Sequence, residues 1–216
     1  LAADALDLAD ALGLPRFAIL GHDWGARAAY TAAALAPERI SRIAVLSTAW
    51  SGLDLGWPSQ EQNHAYWYQW LIGTPRGLHV LEHDREAFTR HLWQLWSPGW
   101  TVPEAEFRTA LDAFRNPDWP AVTAHSYRSR WHLAPLDPAY DAARDRIAAD
   151  PRIRVPTLLL HGAADPVSLP AGSADQASLF TAGFERVILP GLGHFPHRQD
   201  PDAVRAHLLP FLAATA

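Results

Sequence analysis

The stretch that decides the fold is residues 17–30, which read F-A-I-L-G-H-D-W-G-A-R-A-A-Y. Its apolar start predicts a short buried strand, Gly21 and Gly25 mark a tight turn, and the alanine-rich end favours a helix. In the pattern G-x-S-x-G, the residue at the apex of such a strand-turn-helix unit is a nucleophile held on a strained turn. The apex residue here is Asp23.

An aspartate at this apex changes the expected chemistry. A serine hydroxyl needs a base to remove its proton, whereas a carboxylate with an ordinary pKa of about 3.9 is already an anion at neutral pH. Asp23 therefore favours direct attack on an alkyl carbon over ester hydrolysis. The five residues alone fit an ordinary turn with a solvated aspartate equally well, so the rest of the chain must distinguish the two.

Composition excludes several classes of function. The 216 residues can bury one substantial core, and the formal charge of −5 provides neither a basic stripe for nucleic acid nor a polybasic patch for a membrane. No apolar run approaches the roughly 20 residues that cross a bilayer, and no signal-like segment opens the chain. With no cysteine, disulfides and thiolate metal sites are excluded. We expect a cytoplasmic protein with a small, apolar substrate and no nucleic-acid or membrane partner; its oligomeric state is not predicted.

The chain contains no methionine and begins inside a helical pattern. We therefore expect that residues upstream are missing. This first helix is predicted to bury one apolar face, formed by Leu1, Ala5, Leu8, Ala9 and Leu12.

Further buried strands are predicted at residues 40–46 and 155–160, and another strand is predicted at residues 184–189. Helices between strands imply right-handed parallel crossovers and therefore an α/β fold. Helices are also predicted over residues 173–180 and 201–214.

Residues 50–150 have a different pattern, rich in tryptophan and helical throughout. One helix is predicted at 60–72, others begin after Asp84 and Asp118, and the last covers 138–147. Thr101 and Glu104 fit a capping box for one more, ending at Phe114. We predict three segments: an α/β core at 1–49, a helical cap at 50–150 that lies over the elbow, and the rest of the core at 151–216.

Three polar residues follow predicted strands. In an open parallel sheet, functional groups collect beyond the carboxyl ends of the strands, so Asp23, Asp165 and His194 are expected to converge. They supply a nucleophile, an acid and a base, in the chain order typical of α/β-hydrolase triads.

These motifs resemble those of α/β-hydrolases of the epoxide hydrolase and haloalkane dehalogenase group. G-H-D-W-G at 21–25 resembles the family's elbow, G-A-A-D at 162–165 its acid loop, and G-H-F-P-H at 193–197 its histidine loop. The resemblance covers essentially the whole chain, including the cap. It implies an α/β-hydrolase parallel sheet represented by its C-terminal strands only.

The resemblance also implies two cap tyrosines that hydrogen-bond an epoxide oxygen. Y-Q at Tyr68 and Gln69 resembles the first site, for which Tyr66 is a rival, and S-Y-R around Tyr127 resembles the second. A phenol suits this task because it is a neutral donor with a pKa near 10. The alternative is that these tyrosines are ordinary cap packing.

Other residues have secondary roles in this interpretation. The Trp24 N–H is expected to form half of an oxyanion hole, while its indole could hold a leaving halide. His22 and Gln69 are expected near the substrate, although a histidine in the place of His22 is more often a packed, hydrogen-bonded residue than a base. His197 is the rival of His194, and His161 is expected to be structural. The histidines are interpreted as showing no H-E-x-x-H or similar ligand spacing, so we expect no metal and no cofactor.

The leading hypothesis is hydrolysis of an epoxide to a vicinal diol through an ester on Asp23. One alternative is dehalogenation of a haloalkane or haloacid by the same triad, and another is a non-catalytic binding protein with this fold.

The family's pattern has four more strands before the elbow and an H-G-x-P loop that supplies the second oxyanion donor; neither occurs in these residues. We therefore expect the 216-residue chain alone to be unstable or inactive, with an exposed apolar edge at its first strand.

Overall fold

The computed structural model describes residues 1–53, 56 and 58–214. Its parallel sheet has the order β1-β2-β3-β4 in this part of the chain. The strands are β1 (Phe17–His22), β2 (Ile40–Leu46), β3 (Thr157–Gly162) and β4 (Phe184–Leu189). The predicted strands and the α/β class are confirmed.

The helices surround this sheet on both faces and over one edge. In chain order they are α1 (Ala2–Ala11), α2 (Trp24–Leu35), α3 (Gln60–Ala65), α4 (Trp67–Ile72), α5 (Pro75–His83), α6 (Arg85–Trp96), α7 (Glu104–Ala113), α8 (Trp119–Arg130), α9 (Asp141–Ala149), α10 (Pro196–Gln199) and α11 (Pro201–Ala213). Short 3-10 helices occur at Pro138–Tyr140, Pro170–Ser173 and Ala177–Leu179.

Alternate residues of the central strands face two separate cores. Ile43 and Val45 of β2 pack towards α2 and α9, whereas Ala44 and Leu46 pack towards α11. β3 is buried along its whole length, as a strand covered on both faces should be. β1 forms the sheet edge in the described part of the chain, and Leu20 on it is 52% exposed.

Helices α3 to α8 form a cap with its own apolar cluster. Tyr68, Leu92 and Tyr127 belong to this cluster, which also takes in Val167 and Trp24 from the core. The cap therefore rests on the loops that follow β1 and β3. Residues 54, 55 and 57 of the predicted cap and 215–216 of the predicted core lie outside the described residues. Ile147 on α9 packs with the sheet cluster, so this helix packs with the core although the predicted cap range includes it.

The predicted buried face of the first helix is wrong for its leucines and confirmed only at Ala9. Leu1, Leu8 and Leu12 are 70%, 60% and 64% exposed, and the face that packs inward carries Ala2, Leu6 and Ala9. Apolar residues occupy more than one face of α1, so periodicity alone does not select the face. The smaller side chains face inward, against the alanine-rich α2.

Several cap details also differ from expectation. The helix predicted at 60–72 breaks at Tyr66, where α3 ends and α4 begins, and α5 was not predicted. Thr101 does not cap α7, because Pro103 occupies the N-cap position and no side chain bonds there. Asp84 and Asp118 occupy N-cap positions, but neither side chain makes a capping hydrogen bond.

The helix predicted at 173–180 is replaced by short 3-10 turns. Its polar side chains bond to distant groups instead: Gln176 Oε1 accepts from the Trp50 N–H at 2.6 Å, and Ser173 Oγ accepts from Arg186 Nε at 2.9 Å. Among the described helices, none combines the length and apolar character needed to cross a bilayer.

Candidate active site

Asp23 stands at the turn between β1 and α2. Its backbone has φ 47°, a left-handed conformation that is strained for a residue with a Cβ. The turn is tight because Gly21 lies against Gly25: a Cβ at Gly21 would lie 2.3 Å from the Gly25 carbonyl oxygen. The Asp23 side chain remains 29% exposed, so the strained turn presents a carboxylate to an accessible space.

His194 and Asp165 meet beside this carboxylate. His194 Nδ1 donates to Asp165 Oδ2 at 2.9 Å, and the backbone N–H groups of Val167 and Ser168 donate to Asp165 Oδ1 at 2.8 and 3.1 Å. A carboxylate oxygen can only accept, so the Asp165 contact fixes the proton on Nδ1 of His194. Nε2 of His194 is thereby directed towards Asp23.

The distance from His194 Nε2 to Asp23 Oδ2 is 3.8 Å. Nε2 is buried and has no hydrogen-bond partner within the described residues. This separation is too long for a hydrogen bond but short for two charges. The three residues predicted from the strand ends are thus brought together, in the order Asp23, His194, Asp165.

Charge and burial act in opposite directions on these groups. Burial would lower the pKa of His194, but the Asp165 carboxylate, and then Asp23, raise this pKa to about 10. Burial would raise the pKa of Asp165, and His194 with His161 lowers it instead to about 2. For Asp23, burial is outweighed by the interaction with His194, so the pKa of the carboxyl lies well below its usual range. The resting site is therefore an ion triplet with a protonated His194 between two carboxylates.

The other histidines of this region are held neutral. His22 Nε2 donates to the His194 carbonyl at 2.8 Å, and the Ser47 hydroxyl donates to the same carbonyl at 2.9 Å. Burial, followed by the charge of His194, lowers the pKa of His22 to about 4. Burial likewise lowers the pKa of His197 to about 4, and its ring centroid lies 4.7 Å from that of His22. These contacts indicate that His22 holds the histidine loop in place.

His161 is fully buried at the end of β3. Its Nε2 donates to the Ser168 carbonyl at 2.7 Å and lies 3.4 Å from Asp165 Oδ2. This arrangement supports the expected structural role, since the imidazole holds the loop that carries Asp165.

A pocket opens from Asp23 towards the cap. The space between its atoms, including its open mouth, is about 270 Å³. Its wall is formed by Asp23, Trp24, Arg27, Tyr66, Tyr68, Gln69, Tyr127, Arg130, Val167 and Ser168. The pocket therefore contains most of the residues predicted near the substrate.

Tyr68 and Tyr127 lie together in this wall, with ring centroids 5.7 Å apart. Burial, and then the charge of Asp23, raises the pKa of Tyr127 to about 12. Burial raises the pKa of Tyr68 well above 10, with Tyr127 and Asp23 adding to the effect. Both phenols remain protonated at neutral pH and close enough to Asp23 to respond to its charge.

Gln69 orients Tyr68. The Trp131 indole donates to Gln69 Oε1 at 3.0 Å, so the amide nitrogen of Gln69 faces the Tyr68 oxygen and donates to it at 2.9 Å. Because the Tyr68 oxygen already accepts this bond, its own proton is available elsewhere. Tyr66, the rival, lies beside Trp131 with centroids 5.7 Å apart. These contacts favour Tyr68 as the donor and give Gln69 a positioning role.

Trp24 is the first residue of α2. As the first helical residue, it has no carbonyl one turn earlier to accept from its N–H, and no backbone acceptor for this N–H is found among the described residues. Its ring meets Tyr127 edge-on, with centroids 5.7 Å apart. The structure thus places one backbone donor next to Asp23 in the chain.

In the described part of the chain, one group of side chains could hold a metal ion. His79, Glu82 and His83 lie exposed on α5 with ligand atoms within 4.8 Å of one another, away from the pocket wall. Their spacing, H-x-x-E-H, is a metal-ligand pattern, so the expectation that the histidines show no such spacing is wrong.

Two charged residues of the pocket wall were not predicted at all. Arg27 follows Asp23 by four residues on α2, and Arg130 follows Tyr127 by three on α8. Residues three or four apart share a helix face, so this spacing in the sequence was a usable signal for both.

A strained carboxylate elbow, a buried His-Asp pair and a helical cap over a parallel sheet define an α/β-hydrolase arrangement. Residues 1–201 match the family model described as alpha/beta hydrolase fold. The chain belongs to this family.

Several relatives of this chain carry epoxide hydrolase names. A Klebsiella pneumoniae protein named as a candidate epoxide hydrolase is 32% identical and has a TM-score of 0.89, over 99% of this chain and 72% of that one. A structure from a set of epoxide hydrolases of hot-environment metagenomes is 25% identical, with a TM-score of 0.79 over 100% of this chain and 74% of that one.

Human Epoxide hydrolase 4 is 23% identical over 98% of this chain. The chain spans 58% of the length of this curated relative and of its mouse counterpart.

Proposed function

We propose that the protein hydrolyses an epoxide to a vicinal diol through an ester on Asp23. The observation that carries the proposal is one pocket whose wall contains Asp23, Tyr68 and Tyr127, with His194 Nε2 3.8 Å from the Asp23 carboxylate. The epoxide hydrolase names of the relatives support the same substrate class.

In the first step, an Asp23 carboxylate oxygen attacks a ring carbon and the bond from that carbon to the epoxide oxygen breaks. The electron pair of this bond remains on the oxygen, which takes a proton from a phenol of Tyr68 or Tyr127. Gln69 supports this transfer because its amide donates to the Tyr68 oxygen. That bond stabilises the phenolate left behind until solvent returns the proton.

In the second step, a water attacks the ester carbonyl carbon of Asp23. His194 takes a proton from this water, and the Trp24 N–H stabilises the oxyanion of the tetrahedral intermediate. The bond to the alkyl oxygen then breaks, that oxygen is protonated by His194, and the diol leaves with Asp23 restored.

The charges of the site explain how His194 becomes a base at the right moment. Its pKa of about 10 depends partly on the Asp23 charge, so resting His194 is protonated at neutral pH. Esterification makes Asp23 neutral and removes this contribution. The pKa of His194 then falls, and the imidazole can release its proton and accept one from water.

The test is to trap the ester in the protein expressed from its complete reading frame. His194→Gln is expected to accumulate an adduct whose mass increase equals that of styrene oxide, while Asp23→Asn should show none. Substrate consumption by His194→Gln without any adduct would overturn the two-step scheme.

Dehalogenation is the alternative use of the same nucleophile. Trp24 lines the pocket and could hold a leaving halide, but two protonated phenols near Asp23 suit an opening epoxide better. Parallel assays with styrene oxide and 1-chlorohexane separate the two, because halide release without diol formation would reverse the choice. If neither compound reacts and Asp23→Ala leaves ligand binding intact, the protein is a binding protein.

A further inference from the structure

The pocket wall contains two positive charges besides the groups that the proposed reaction uses. Arg27 lies one helical turn beyond Asp23 on α2, and Arg130 lies one turn beyond Tyr127 on α8. Each proposed reacting group is thus accompanied by an arginine on the same face of its helix. One arginine belongs to the core and the other to the cap, so they approach the pocket from opposite sides.

Arg130 lacks an anionic partner within the described residues. No hydrogen bond or ion pair of its guanidinium is found there, and its Nε is buried with no hydrogen-bond partner. Burial, followed by the charge of Arg27, lowers the pKa of Arg130. A buried cation beside a like charge is unfavourable unless an anion joins them.

Aromatic rings surround the Arg130 guanidinium. Its central carbon lies 5.9, 5.5 and 5.1 Å from the ring centroids of Trp24, Tyr66 and Trp131. These are cation–π contacts, which use no N–H group of the guanidinium as a hydrogen-bond donor to an oxygen. The guanidinium edge that carries the unpartnered Nε–H matches the two oxygens of a carboxylate.

Asp23 is the acidic residue of the pocket wall, but it is not the missing anionic partner of Arg130. Its carboxylate lies beyond ion-pair distance of both arginines and is instead paired with His194 at 3.8 Å. The charge of Arg27 helps to lower the pKa of Asp23, but this is a long-range effect. The unpartnered Nε–H of Arg130 can therefore donate to a bound molecule.

We propose that the pocket selects epoxides that carry a carboxylate group, which Arg130 and Arg27 bind while Asp23 attacks the ring. This inference rests on the proposed function and names its substrate class. The expectation of an apolar substrate is replaced, because an apolar molecule would leave the Arg130 edge unpaired. The arginines also reduce the repulsion between the substrate carboxylate and the Asp23 carboxylate.

The experiment compares two substrates of nearly identical shape, 3-phenyloxirane-2-carboxylate and its carboxamide. The protein from the complete reading frame is expected to favour the carboxylate in kcat/KM by at least about tenfold, the range of a hydrogen-bonded charge. Arg130→Gln should reduce this ratio by about ten- to a hundredfold, and Arg130→Lys should restore part of it. Arg128→Gln is the matched control on an exposed position of the same helix, and it should leave the ratio as it was.

A binding measurement keeps the test independent of turnover. Calorimetric titration should detect phenylacetate and not phenylacetamide, with the phenylacetate affinity lost in Arg130→Gln. The inference would be overturned if the unaltered protein hydrolysed the oxirane carboxylate and its carboxamide with equal kcat/KM and also bound phenylacetate and phenylacetamide equally well. Binding of phenylacetate without hydrolysis of either oxirane or of styrene oxide would instead overturn the proposed reaction and leave the carboxylate site standing.

Discussion

The two glycines of the elbow motif have different physical roles. A Cβ at Gly21 would meet the Gly25 carbonyl oxygen at 2.3 Å, whereas a Cβ at Gly25 would meet nothing within 4 Å. The spacing G-x-D-x-G does not reveal this difference. The requirement at Gly21 comes from the close approach of strand and helix, and Gly25 is simply an exposed helical residue.

Gly21→Ala is therefore expected to destabilise the protein by about 1–3 kcal/mol or more, because backbone must move to admit the methyl group. Gly25→Ala should be neutral or stabilise by up to about 1 kcal/mol, since alanine is the better helix former. Chemical denaturation followed by far-ultraviolet circular dichroism measures both. Equal losses in the two variants would show that the elbow is not packed as described.

The histidines around Asp165 predict how stability depends on pH. Unfolded histidines titrate near pH 6.5, whereas the pKa values of His22 and His197 are lowered to about 4 and that of His194 is raised to about 10. Between pH 4 and 6.5 the unfolded chain binds more protons, so stability rises with pH; between 6.5 and 10 the folded chain binds more, so stability falls. We expect maximal stability near pH 6.5.

Melting temperatures recorded from pH 4 to 10 test this profile. His197→Gln should flatten the acid side, His194→Gln the alkaline side, and His64→Gln, at an exposed position of the cap, neither. A profile that rises steadily to pH 10 would contradict the protonated state of His194.

At the scale of elements, the sequence predicted the sheet better than the cap. β2 and β4 begin and end at the predicted residues, although each contains polar residues: Ser41 and Arg42 in β2, and Glu185 and Arg186 in β4. The loops after the strands likewise located Asp23, Asp165 and His194. Helix boundaries in the cap depend on packing that periodicity does not contain.

The break between α3 and α4 at Tyr66 shows why helix boundaries in the cap were not predicted. Both Gln69 and Trp70 donate to the Tyr66 carbonyl, at 2.8 and 3.3 Å, and no glycine or proline within residues 60–72 marks the break in the sequence. The start of α7 is another case, since the residue before a proline avoids the helical conformation. Pro103 therefore keeps Thr101 and Val102 out of the helix.

The cap is fastened to the acid loop through Gln62 on α3. Its amide nitrogen donates to the Val167 carbonyl at 2.7 Å, and its amide oxygen accepts from the Leu169 N–H at 3.0 Å. These bonds join the cap, which covers the pocket, to the loop that carries Asp165, the proposed catalytic acid.

Gln62→Ala is expected to cost about 1–3 kcal/mol, the sum of two hydrogen bonds at about 0.5–1.5 kcal/mol each, and to increase cleavage of the cap by trypsin under native conditions. Gln60→Ala, two residues earlier and exposed, is the control and should change neither stability nor cleavage. Unaltered proteolysis of the Gln62 variant would mean that this contact does not hold the cap.

On the described surface of the molecule, apolar residues are exposed on α1 and on β1, the strand at the edge of the sheet. Leu8 and Leu12 project from the outer face of α1, 60% and 64% exposed, and Leu20 on the edge strand is 52% exposed. Neighbouring exposed leucines on a helix favour contact with another surface, and an edge strand offers unpaired backbone groups. The exposed edge of the first strand was expected from the sequence, whereas helical periodicity placed Leu8 and Leu12 inside.

We expect the 216-residue chain to self-associate at micromolar concentration through this helix. Replacing Leu8 and Leu12 together by glutamate should restore a monomer in sedimentation velocity, because two charges one turn apart cannot be buried against an apolar surface without a large desolvation cost. Val122→Glu changes a single cap residue of equal exposure, 60%, and should leave association unchanged. If the cap substitution dissociates the assembly and the helix substitutions do not, association proceeds through the cap, and the outer face of α1 is an exposed surface that the folded chain tolerates without a partner.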